Sequence, residues 1–160
     1  MSNFSFRQFL EFAMKQATRI FNRTGQLCPM YHAVSSAGED YVFPALPGDK
    51  DVSTAAARAF LVSIEATRVA FIDEAWMMAP KEGVSRDDLA RYNAQDLSKQ
   101  PGRIEVILIC AEDEREGMLM ATREIIRSGT DVHLGALHIL QADGLEGRMI
   151  GLLPRKGTVQ

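Results

Sequence analysis

Cysteine is scarce in this chain: two in 160 residues, Cys28 and Cys110, without C-x-x-C spacing. That excludes a disulfide scaffold. Both thiols stand beside apolar residues, as reduced core cysteines do. Basic runs are lacking too, since no stretch of Lys or Arg exceeds two residues and the formal charge is −3. A protein that coats nucleic acid needs a basic face, so no nucleic-acid partner is expected. No apolar run approaches the roughly 18 residues of a membrane span. The opening "MSNFSFRQFLEFAMKQ" carries charges where a signal peptide needs an apolar core. The chain therefore reads as soluble and cytoplasmic, with no membrane partner.

What is present suits an ordinary globular domain, with 46% apolar and 24% charged residues. At this length about 70% of the unfolded surface can be buried, so no metal or disulfide staple is required. Residues 1–160 are expected to form one domain, without internal repeats or a long linker.

The first element is marked at both ends. Phe6, Phe9, Leu10, Ala13, Ala17, Ile20 and Phe21 recur at helical spacing, Ser5 with Gln8 fits a capping box, and Gly25 marks the stop. Phe4 and Phe12 fall outside that stripe, which suits a wide core face or a subunit contact. Next, "CPMYHAV" and "DYVFPAL" read as a hairpin turned at Gly38, with Pro44 pointing to an edge strand or a strand end. Asp51 is expected to cap a second helix over 52–67, with Ala55, Ala56, Ala57 and Ala59 lying close against a sheet.

Residues 68–78, "RVAFIDEAWMM", then read as a strand. A polar segment over 85–100 carries a short exposed helix with Leu89, Tyr92 and Leu97 inward, and "IEVILICA" is the strongest strand signal in the chain. "MLMATREIIR" suits either helix or strand. Gly117 at its head and the short "SGTD" link favour a strand, because parallel strands need long crossovers. "VHLGALHIL" continues the meander, and "GRMIGLLP" reads as a last short strand. The fold class is therefore α+β: a mostly antiparallel sheet with two main helices packed on one face, in the order helix, hairpin, helix, strand meander.

The chemistry question centres on Asp73-Glu74. A hydrophobic strand ending in Asp-Glu holds Mg²⁺ in P-loop nucleotide hydrolases, but only beside a G-x-x-x-x-G-K-[ST] loop. "TGQLCPM" and "PGDKDVST" both miss that pattern. No dinucleotide fingerprint, nucleophile elbow or zinc-protease motif occurs, so no cofactor is expected. In a strand, Asp73 and Glu74 point to opposite faces, either of which could meet Arg68, Arg103 or Arg123. Trp76, the only tryptophan, packs near Met77 or Met78 or caps the sheet. Arg148, set among glycines in an apolar tail, is a candidate for reading an anion or a partner strand.

Two functional readings follow. The first is a non-enzymatic binding or assembly module acting through a surface as a homodimer or with a protein partner. Its binding candidates are Asp73, Glu74, Trp76 and Arg148, with Met77, Met78, Met118 and Met120 suiting an adaptable surface. The second is a metal-dependent hydrolase in which Asp73 and Glu74 join Glu112 and Asp113, with His32 or His138 as accessory ligand. It requires parallel strands that bring both acidic pairs to one sheet edge. A ligand pocket between the second helix and the sheet is a third reading, which the run of alanines disfavours.

Overall fold

A computed structural model of the protein describes residues 3–78, 97–99, 101–141 and 149–154. Helix α1 spans Phe6–Thr24, and both of its ends follow the local sequence signals. Gln8 N donates to Ser5 Oγ at 3.2 Å and Ser5 N donates to Gln8 Oε1 at 2.8 Å, completing the capping box. At the other end Gly25, at φ 77°, donates its N–H to Phe21 O.

The hairpin is β1 (Met30–Ser35) and β2 (Asp40–Pro44), and Pro44 ends β2. Helix α2 (Lys50–Ser63) starts two residues earlier than the sequence suggests, because Asp49 and not Asp51 is the cap. Asp49 Oδ1 accepts Asp51 N at 2.8 Å and Val52 N at 3.0 Å, while Asp51 contributes its charge to the first turn. The helix also stops earlier. Glu65 adopts φ 50°, and strand β3 begins at Ala66. Nor do all four alanines of α2 face the sheet. Ala57 is buried, Ala56 is half-buried, and Ala55 and Ala59 are exposed, because consecutive residues wrap around a helix. Its buried stripe is Ser53, Thr54, Ala57 and Leu61.

Strands β3 (Ala66–Met78), β4 (Arg103–Asp113), β5 (Gly117–Ser128) and β6 (Asp131–Gln141) form an antiparallel meander. Residues 118–127 are thus strand, as the turn chemistry at Gly117 suggests. With the hairpin they make one six-stranded sheet in the order β2-β1-β3-β4-β5-β6. The short helix expected within 85–100 lies outside the described residues, apart from a 3-10 turn at Leu97–Lys99.

The helices do not share a face of this sheet. Helix α1 packs on Val34, Ala70, Ile72, Ile107, Ile109 and Ala121, whereas α2 packs on Tyr31, Ala33, Val69 and Phe71. Adjacent residues of β1 and β3 therefore feed opposite cores, as strand alternation requires. Nor do residues 149–154 form a strand. They lie on the α2 side as a turn-rich segment that buries Leu152 and Leu153 in the same core as Leu61.

Candidate functional site

The antiparallel ladder decides where the acidic candidates go. Arg68 pairs with Asp113 and Asp73 pairs with Leu108, so Glu112 stands four residues along β4 from the partner of Asp73. At about 3.3 Å per residue the two are about 13 Å apart along the sheet. Asp73 and Glu112 face the α2 side, while Glu74, Asp113 and His32 face the α1 side. Among the described residues, no three His, Cys, Asp or Glu side chains lie where they could hold a metal ion. The convergence that the metal-hydrolase reading needs is not formed.

All of these residues but His138 have a local role. Glu74 accepts the backbone N–H of Leu27 and so ties the chain after α1 to β3. Asp113 Oδ2 accepts Arg68 Nε at 2.7 Å, and its Oδ1 accepts the N–H groups of Arg115 and Glu116. Burial pushes this carboxyl up. The two N–H donors and the Arg68 guanidinium outweigh burial and hold it below the usual aspartate value. His32 is buried, with Nε2 2.7 Å from Asp40 Oδ1 and its ring packed against Phe9 and Phe12. Phe12 also meets Phe4 edge-on, and Phe4, which precedes α1, is exposed. His138 lies on β6 opposite Thr122 and is exposed.

Glu112 is buried, and its two oxygens accept Leu152 N at 2.8 Å and Leu153 N at 3.1 Å. It works as a backbone clamp for the segment at 149–154, a role no local pattern announces. Trp76 is 41% exposed beneath the Arg103 guanidinium, 5.0 Å from its ring centre. Arg148 lies outside the described residues.

Asp73 faces a cleft between the start of α2 and the sheet, a cavity of ≈ 500 Å³. Pro29, Ala45, Leu46, Pro47, Phe71 and Met149 supply its apolar walls, and Lys50, Ser53 and Asp73 its polar groups. Asp73 Oδ1 accepts Glu74 N at 2.8 Å. Burial raises its carboxyl above the usual value, and Glu74 adds to this, while the Glu74 N–H and Lys50 oppose it. Tyr31, beside it in the sheet, has a phenol raised chiefly by burial and further by the Asp73 charge. This is the pocket that the alanine run seemed to disfavour. It lies beside the first turn of α2, where Lys50 and Ser53 line it, while Ala57 and Leu61 further along the helix pack in the core with the sheet.

The second feature is the outer edge of β6. That 11-residue strand pairs with β5 on one side, and among the described residues no strand pairs with the other. Val132, Leu137 and Leu140 are 44%, 40% and 50% exposed along it. The sequence cue was the charge-free run "VHLGALHIL", legible only once the strand is known to be an edge. Compared with known proteins, the chain matches no family model, no curated protein and no solved structure.

Proposed function

We propose that this chain is a cytoplasmic binding and assembly module that pairs with a second copy of itself through the outer edge of β6. The observation carrying this reading is that β6 is a long edge strand with few of the devices that blunt an edge: one bulge, where it faces Arg123 to Ile125 of β5, and one charge, Asp131. Between Asp131 and Gln141 there is no Lys, Arg, Glu or Pro, and three large apolar side chains are exposed. Long edges rich in exposed apolar residues are templates for strand addition. The opposite edge differs: β2 has five residues, begins at Asp40 and ends at Pro44.

The occupant that fits β6 best is another β6. Two antiparallel copies related by a two-fold axis present the same backbone donors and acceptors to each other. The single charge on the strand, Asp131, then lies at opposite ends of the ladder, so no like charges face each other. The cytoplasmic part of the reading is supported by two unbridged thiols, Cys28 exposed and Cys110 buried.

Light scattering coupled to size exclusion tests the proposal. The parent protein is expected as a dimer, and Leu140→Lys as a monomer with an unchanged far-ultraviolet circular dichroism spectrum. A parent that stays monomeric at high concentration would end the reading.

A further inference from the structure

We propose that the cleft between α2 and the sheet is a binding site for an organic cation, a protonated amine carried on an apolar body, with the Asp73 carboxylate as its counter-ion. The site is separate from the β6 edge, and the inference does not depend on dimerisation.

Four observations carry it. The cavity of ≈ 500 Å³ falls within the usual range for small-ligand sites. Its walls are apolar on three sides: the loop after β2 (Ala45, Leu46, Pro47), Phe71 on β3, and Met149 from the C-terminal segment. Such walls take the body of a ligand. Polar groups are few, as orientation and specificity require.

Third, the polar groups around the cleft favour a cation over an anion. An anion would normally seek the N–H groups at the start of α2, but Asp49 already occupies two of them. Asp51 in the first turn adds a second acid there. Lys50 acts on Asp73 through space, and no described Lys or Arg forms an ion pair with it. Among the described residues this half-buried carboxylate has no ion-paired cation to offset the water it has lost, and a bound ammonium would supply one.

Fourth, the carboxylate is held in place. Its Oδ1 accepts the N–H of Glu74, and Glu74 is itself tied to Leu27, so the cation-binding group stands on a rigid central strand. Lys50, facing the same cavity, suits a polar or anionic group at the far end of the ligand.

The test uses the full chain and three primary amines, 2-phenylethylamine, cyclohexylamine and n-hexylamine, each beside its neutral alcohol. Binding is read from amide chemical shifts. At least one amine is expected to bind saturably, with shifts centred on Ala45, Lys50, Phe71 and Asp73, and about tenfold or more tightly than its alcohol. Asp73→Asn should abolish that preference while leaving the weak binding of the alcohol. Ala45→Phe, which fills the cleft without touching the carboxylate, should weaken both. The proposal is overturned if no amine binds the parent, if amine and alcohol bind equally, or if Asp73→Asn keeps the amine preference. Running the series on Leu140→Lys keeps the outcome independent of oligomeric state.

Discussion

Glu112 Oε1 accepts the backbone N–H of Leu152 at 2.8 Å, so a buried carboxylate near the end of a central strand anchors a segment 40 residues further along the chain. Arg58 Nη2 adds a bond to Ile150 O at 3.3 Å, and Leu152 is 1% exposed. The α2 side of the sheet is therefore closed partly by a helix and partly by this strap.

The strap is expected to depend on that carboxylate. Glu112→Ala removes a charged acceptor and leaves two buried N–H groups without a partner, at a cost of about 3 kcal/mol. For a chain of this size that lowers Tm by about 6–12 °C. Limited proteolysis of the variant should cut near residues 149–154 before the sheet opens. Leu152→Ala should cost a similar amount, about 3 kcal/mol, through the cavity it leaves.

The Arg68–Asp113 pair predicts acid sensitivity. Asp113 is held below its ordinary value in the folded state, so its contribution is complete above the unfolded value, about pH 4. It is lost as the pH falls through the lower, folded value. The groups that set it are Arg68, which also sits over the Phe6 and Phe9 rings, and the N–H donors of Arg115 and Glu116. Asp113→Asn should lower stability at pH 7 by about 3 kcal/mol, since it leaves a largely buried guanidinium without its counter-ion. Thermal melts at decreasing pH should show parent and variant converging below about pH 4.

Asp73 predicts the opposite sign. Its folded-state value is raised, chiefly by burial, so the ionised group weakens the fold once the pH exceeds the unfolded value. Tyr31 is near enough to feel its charge, and Glu74 and Lys50 act on Asp73 from β3 and α2. Asp73→Asn is expected to leave Tm unchanged or higher at pH 7, with the gain vanishing as the pH falls below the unfolded value. A substitution that stabilises the fold while removing amine binding is the signature of a residue kept for a ligand. A marked drop in Tm would instead make Asp73 part of the fold's support.

The parts of this architecture legible in the sequence are those set by neighbours along the chain. Ser5, Gln8 and Gly25 delimit α1 because capping is local, and Gly117 identifies β5 as a strand because its turn geometry admits no crossover. Strand alternation correctly separates Asp73 from Glu74. Asp49 and Asp51 are equally good caps by type, and the structure caps the helix with the first, directly after Gly48 at φ 95°. The placement of α1 and α2 on opposite faces was not legible, since β1 and β3 are apolar on both sides. Nor was the clamp at Glu112. The apolar letters of "GRMIGLLP" suggest a strand, but the N–H groups of Leu152 and Leu153 go to a carboxylate and not to a ladder.

The two sheet edges should respond differently to the same substitution. A lysine in an edge strand blocks pairing by forcing a charge into the new ladder, and costs little where no partner adds. Val42 on β2 is 68% exposed, so Val42→Lys is expected to leave both stability and oligomeric state within error of the parent. If two copies pair through β6 as proposed, Val132→Lys should separate them. Because a dimer's midpoint depends on its concentration, the parent Tm should rise with protein concentration and that of Val132→Lys should not. Melts of the three proteins over a hundredfold concentration range separate the cases. If Val42→Lys dissociates the parent and Val132→Lys does not, assembly runs through the hairpin, and the short strand ending in Pro44 is the edge that pairs.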